Sequence, residues 1–393
     1  MNRPIVPSRC WLGWPEMQAM KDCLGAAPRG QTRLLKSVAD LLASRYLARL
    51  ISNNPQETML SQDPIHVERR RLLQSALASM ALAASGRAAW AQTQVDTLKI
   101  ITGFPPGGTS DTLCRRVAER MVPTGYARAA VVENRTGAGG QIAIQAVRSA
   151  PADGSTVLQT PMSMLGIYPH IYRKLPYDPI ADLAPVSLGC TFDFGLAVGP
   201  MVPASVRTVS EFLAWCRQNP TQANFGSPAA GSMPHFIGAL LGHASGVPLN
   251  HVAFRGTQPA ILDMIGGQIA AVSGPIGEFT QHVAAGKCRL LGASGDKRSP
   301  FAPNTPTLVE QGFKDMSFSE WFGFFVPAKT PSDLVARLNT ALRSALTAPE
   351  TVNGLATMGL EARASSPAEL AALLKADTER WGPLVKTIGF TAD

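Results

Sequence analysis

An α/β protein of two lobes, with a ligand cleft between them, is the fold class that the sequence predicts, and three observations carry it. Strand-like runs end in small-residue turns that open helices, first around Phe104 to Asp111 and then around Glu133 to Gly140. The same turn chemistry recurs in the second half of the chain, at Gly226 to Ser232 and at Arg255 to Thr257. Two apolar, β-rich segments, Val186 to Val198 and Ser317 to Val326, bracket that second half as a crossing out and a return. Two crossings imply two lobes and a cleft.

In chain order, Leu98, Ile100 and Ile101 form a short β-prone run, and Leu113, Val117 and Met121 recur at the spacing of one buried helix face. Between them lies Pro105-Pro106-Gly107-Gly108-Thr109-Ser110-Asp111. A glycine pair there lets the backbone approach a ligand closely and aims unpaired helix N–H groups at it, which makes an anion site. Thr109, Ser110 or Asp111 can cap the helix; Asp111 is read as a cap, because an acid in an anion pocket would repel its ligand. A second strand, around Val131 and Val132, leads through Gly137-Ala138-Gly139-Gly140 into a helix from Gln141 to Val147. Two such units place both helix starts at the carboxyl edge of one parallel sheet, where open α/β sheets bind ligands.

Thr156 to Leu158 reads as a third strand, and Pro169, Pro176, Pro179 and Pro185 punctuate a loop-rich stretch before the first crossing. The middle region repeats the pattern. Val209 to Arg217 looks helical, Ala223 to Phe225 extended, Met233 to Ser245 helical, Asn250 to Phe254 extended and Pro259 to Ile265 helical. After the return crossing, Ser332 to Thr347 and Glu369 to Trp381 are amphipathic helices expected to pack back on the first lobe.

The net charge of +8 at first suggests a polyanionic partner. Residues 1 to 91, however, hold 12 basic and 6 acidic side chains, so the remainder, with 24 and 22, is nearly neutral. With no basic stripe interleaved with aromatics, nucleic acid is not an expected partner. Arg69-Arg70-Arg71, the apolar stretch Leu72 to Ala84 and the Ala89-Trp90-Ala91 cleavage signal make residues 59 to 91 a signal peptide, cut near Ala91/Gln92. Its arginines suit the twin-arginine route and the general secretory route alike. Residues 1 to 58 sit upstream of that signal and are read as a non-native extension, with translation starting at Met59.

Cys10 and Cys23 belong to the extension; Cys114, Cys190, Cys216 and Cys288 match no metal or redox spacing, and buried free thiols are the first reading, although export to an oxidising compartment permits disulfides and four cysteines allow three pairings. No G-x-S-x-G elbow, H-E-x-x-H helix, C-x-x-C pair or G-x-x-x-x-G-K-[ST] loop occurs, and Gly137 to Gly140 lacks the third spaced glycine of a dinucleotide fingerprint. Ser232 and His235 stand three residues apart at a helix start, where capping and ligand contact are the better reading than a nucleophile pair. His170, His243, His251 and His282 show no ligand spacing. Neither enzyme activity, a cofactor nor a metal is expected.

From Leu98 onward the motifs resemble the extracytoplasmic solute receptors of tripartite tricarboxylate transporters, the Bug receptors. The residues that carry the likeness are Pro105 to Asp111, Val132-Glu133-Asn134-Arg135 with Gly137 to Gly140, Pro151-Ala152-Asp153-Gly154 and Leu175-Pro176-Tyr177-Asp178-Pro179. Gly266-Gly267-Gln268, Ala285-Gly286-Lys287 and Asn304-Thr305-Pro306-Thr307 follow in the family's order.

The resemblance implies a type II periplasmic-binding-protein fold, with residues 95–197 plus 324–393 as one lobe and 198–323 as the other. It implies a soluble, monomeric, periplasmic receptor that binds a mono-, di- or tricarboxylate or an acidic amino acid and delivers it to a membrane transporter. A sensor docking on a signalling ectodomain is the alternative, and an enzyme comes after it. First-lobe contacts would come from Pro105, Pro106, Gly107, Gly108, Ala138, Gly139, Gly140 and Ser163. Second-lobe contacts would come from Ser227, Ser232, His235, Phe254, Arg255 and Gly256. Many relatives carry Tyr-Lys-Gly in place of Phe254-Arg255-Gly256 and an acid where Ala270 stands, so a different ligand is implied for this chain.

Overall fold

The computed structural model describes residues 94–392. The expected extension, the signal peptide, Cys10 and Cys23 lie outside the described residues.

The first sheet begins with β1 (Val95–Thr102), flanked in parallel by β2 (Ala127–Asn134) and β3 (Thr156–Pro161). Parallel neighbours need crossover helices, and α1 (Thr109–Met121) and α2 (Gln141–Arg148) supply them. Leu113, Val117 and Met121 are fully buried on α1, as their spacing requires. After β3 the chain makes a π-helical turn, Ser163–Ile167, and a short helix α3 (Tyr168–Ile171).

β4 (Leu183–Val198) and β9 (Ser319–Pro327) join the two halves. Leu183 to Asp193 of β4 pairs antiparallel with β9, which pairs in turn with β3. From Phe194 onward β4 changes partners, to β7 (Ala271–Pro275) on one side and β8 (Arg289–Ala293) on the other. One strand therefore belongs to both sheets, with the change at Asp193 and Phe194. In the second sheet β5 (Asn224–Ser227) lies parallel to β6 (Asn250–Ala253) and β7. The whole path runs β2-β1-β3-β9-β4-β7-β5-β6. Helix α4 (Val209–Gln218) follows β4, and helices α5 (Met233–Ser245), α6 (Thr257–Ile265) and α7 (Ile276–Ala284) pack on that second sheet. Pro234 early in α5 and left-handed Gly246 at its end, φ 64°, explain why its bounds are so clear in the sequence.

Three helices, α8 (Ser332–Thr347), α9 (Pro349–Ala356) and α10 (Pro367–Ile388), follow β9. α8 and α9 pack on α1, and α10 lies along the Ser163–Ile167 turn and β4. A reciprocal Ser366–Glu369 capping box starts α10, and buried Trp381 locks it against Phe318 and Phe236, with ring centroids 5.2 and 5.7 Å away. None of the described helices is long and apolar enough to cross a membrane.

Cys114, Cys190, Cys216 and Cys288 are buried free thiols. Burial pushes all four toward the protonated form, Cys216 up to about 12 and Cys288 up to about 11. Because thiolate is the reactive species, an aromatic disulfide reagent should titrate these four thiols only after denaturation. Reaction of any of these four in the native protein within minutes, with Cys10 and Cys23 replaced by serine or absent, would contradict this burial.

Candidate functional site

The turns that follow the strands of both sheets close on one inner chamber of about 50 Å³, room for a few waters. After β1, Phe104, Pro105, Gly108, Thr109 and Ser110 line it; after β3, Pro161, Ser163 and Met164 do. The second sheet contributes Pro228, Ser232 and Pro234 after β5, Gly256, Thr257 and Gln258 after β6, and Pro275 and Glu278 after β7. β4 adds Phe192 and Phe194, and β9 adds Glu320 and Phe322.

The two halves touch around this chamber. Ser163 Oγ accepts the Met233 N–H at 3.1 Å, and Tyr168 donates its hydroxyl to the Ala230 carbonyl at 3.4 Å. At Gly256, φ 105°, an added Cβ would lie 2.8 Å from Pro105 Cγ, so glycine is needed for the turn and for the approach.

Gly108 caps α1 with an extended backbone, and the first helical N–H groups behind it should be free for a ligand. They are not all free. Thr109 donates its N–H at 3.1 Å and its hydroxyl at 2.9 Å to Glu278 Oε1, and Gln258 Nε2 donates to Glu278 Oε2 at 3.1 Å. The chain's own carboxylate occupies the seat expected for a ligand's. Across the chamber, Glu320 accepts the Ser163 N–H at 3.3 Å and its hydroxyl at 2.6 Å. Burial raises Glu278 above the ordinary glutamate range, against the pull of its Thr109 and Gln258 donors. It raises Glu320 to about 8, with the Ser163 hydrogen bond opposing and the field of Asp377 adding.

Asp111 is the third residue of α1 rather than its N-cap, and its carboxylate is turned away from the chamber. It accepts the Gly107 N–H at 3.0 Å, Asn134 Nδ2 at 2.9 Å and Arg115 Nε at 2.8 Å. Burial alone would raise it, but these donors outweigh burial and hold it below its usual range. It ties the β1 and β2 turns together.

A second space of about 250 Å³, an outer groove, adjoins the first and shares Phe104, Pro105, Pro228 and Gly256 with it. The turn Gly137–Gly140, Phe254 and Arg255 line this groove and not the chamber. Ala138, Gly139 and Gly140 all have positive φ there, and Ala138, at 46°, is the one non-glycine residue to do so among those described. The exposed Arg255 guanidinium makes no hydrogen bond or ion pair with any described residue.

The expected contact residues thus divide. Gly108, Ser163 and Ser232 lie at the chamber, Ala138, Gly139, Gly140, Phe254 and Arg255 at the groove, and Pro105 and Gly256 at both. Pro106 and Gly107 are exposed and line neither. Ser227 and His235 are buried behind the β5 turn. Ser227 Oγ lies 2.7 Å from His251 Nε2, and His235 accepts the Gly231 N–H at 3.0 Å while its ring stacks 3.8 Å from that of His251. Burial holds His235 down to about 4 and His251 to about 3, so this pair packs as neutral rings. Ser232 donates to the Ala229 carbonyl at 2.7 Å and makes no bond to His235.

Glu278, Glu320, Thr109 and Gln258 are the site residues that motif reading missed. A signal existed for Glu320, a lone acid at the head of an otherwise apolar strand.

Residues 113–390 match the family described as the tripartite tricarboxylate transporter family receptor. The chain belongs to that family. The receptor is 33% identical to a Pseudomonas sp. (strain P51) protein from the tcbD-tcbE intergenic region, over 72% of this chain and 84% of that one. Among solved structures it is similar to an R. palustris protein solved with adipate, at 28% identity and a TM-score of 0.71, covering 77% of this chain and 99% of that one. The periplasmic binding protein BugD is similar to it at 27% identity and a TM-score of 0.70, over 75% and 98% of the two chains. The two-lobed periplasmic-binding-protein fold of the receptor is thereby shown, with the type of sheet connection described above.

Proposed function

We infer that this receptor captures a small organic acid in the periplasm and delivers it to a tripartite tricarboxylate-type transporter. One observation carries the reading: strand-end turns from both sheets converge on one chamber with a groove beside it. The R. palustris relative bound to adipate supports the choice of ligand class. The lobes divide as residues 95–197 plus 324–393 and 198–323, and β4 and β9 serve as the hinge between them. Export by the signal at 59–91 puts the receptor in the compartment where such a ligand is met.

Thermal-shift screening of the purified protein against organic acids tests this. A ligand at a hundred times its Kd should add about 2.7 kcal/mol of stability, a readily measured rise in melting temperature. A deletion strain should lose uptake of the same compound. Unaltered uptake together with altered gene expression would replace transport by sensing.

A further inference from the structure

We propose that Glu278 and Glu320 reserve the inner chamber for a positively charged nitrogen, so that the ligand is an amino-bearing organic acid whose carboxylate lies in the outer groove. This rests on the receptor reading and narrows its ligand class. The anion seat at the start of α1 is filled from within, since the Thr109 N–H and hydroxyl are both spent on Glu278. A ligand carboxylate entering there would find those donors already taken.

Glu278 and Glu320 are 6% and 2% exposed, and among the described residues no lysine, arginine or histidine lines the chamber with them. Two buried acids without a countercharge are costly in the ionised form. Burial accordingly biases both toward protonation. An ammonium group supplies what the chamber lacks, because it brings one positive charge and several N–H donors. Phe104, Phe192, Phe194 and Phe322 also line the chamber, and aromatic ring faces favour a cation over an anion.

The missing cation sits next door. Arg255 has no partner among the described residues and borders the Gly137–Gly140 turn in a groove that shares four lining residues with the chamber. A guanidinium suits a carboxylate bidentately. The polarity of the site is therefore acidic inside and basic outside, the pattern that receives a zwitterion end to end and repels a second carboxylate.

Calorimetry on the purified protein with matched pairs decides it. One member is succinate, glutarate or adipate; the other has one carboxyl group replaced by an aminomethyl group. The amino member should bind at least about tenfold tighter in one of the pairs. Glu278→Gln and Glu320→Gln, each checked by circular dichroism for an intact fold, should erase most of that preference. Tighter binding of the diacid by the unaltered protein, or the same preference in both variants, overturns the assignment and leaves the receptor reading standing. Failure of every compound in both series to bind overturns the two together.

Discussion

Gly277→Ala should lower ligand affinity by roughly a hundredfold, the consequence of a displacement costing about 3 kcal/mol, while the secondary structure survives. Gly277 is the second residue of α7, the helix that carries Glu278, and a Cβ built there would lie 1.7 Å from the Met358 carbonyl oxygen and 2.0 Å from its carbon. No rotamer change relieves a collision between a Cβ and a backbone carbonyl. Met358 and Gly359 follow α9 and lead into β10 (Glu361–Ala362), which pairs with β4 at Cys190 and Thr191 on the first-sheet side. α7 packs on β7 and β8 of the second sheet. An added methyl group therefore pushes one half from the other and draws Glu278 off Thr109. Isothermal calorimetry with any ligand found by screening measures the loss. Affinity within threefold or so of the parent would show that this contact does not govern closure.

How far the fold was legible follows from where its information lies. β1 to β3, α1 and α2 are written in local apolar spacing and glycine turns, and the structure reproduces them within a few residues. β7, α7 and β8 went unread. Ala271–Pro275 is buried at every position, so it shows no period-two alternation, and it is only five residues long. With that strand the helix behind it, and hence Glu278, was lost to view.

The site was legible in its turns and not in its hydrogen bonds. A glycine turn before a helix announces unpaired N–H groups, but Glu278 stands 169 positions from Thr109 and reaches it only when the two halves meet. Ser227 and His235 follow the same kind of turn as the residues of the first half, which is why they were expected at the ligand. β5 and β6 run parallel with Phe225 opposite His251, and that register brings the His251 ring to Ser227 and His235 and draws both into the core. Periodicity along one strand carries no information about such a cross-strand partner.

Raising the pH from 6.5 to 8 should destabilise the ligand-free protein by about 2 kcal/mol through Glu320 alone. Its folded value of about 8 lies above the ordinary 4.5. The folded state therefore holds a proton that the unfolded state releases. The stability tied to that proton is complete below 4.5 and is lost as pH rises to 8. Glu278, Asp193 and Asp377 are also raised, burial being the main cause in each, and act in the same direction. His235 and His251 act oppositely, because their lowered values supply stability above 6.5 that disappears as the solution becomes more acidic. At pH 6.5 the unfolded histidines are still about half protonated, so each adds a few tenths of a kcal/mol of stability by pH 8, a partial offset to the fall, which belongs to the acids. The groups facing Glu320 include the Ser163 donors, the Trp321 backbone N–H, Tyr168, Cys190 and Asp377, which accepts the Trp321 indole N–H at 2.7 Å; among these there is no cation to offset the charge. Glu320→Gln keeps the shape and removes the titration, so its urea midpoint should change much less over the same interval and exceed that of the parent at pH 8. Equal slopes for the two proteins would mean that Glu320 is already ionised in the folded chamber, with water or a cation beside it.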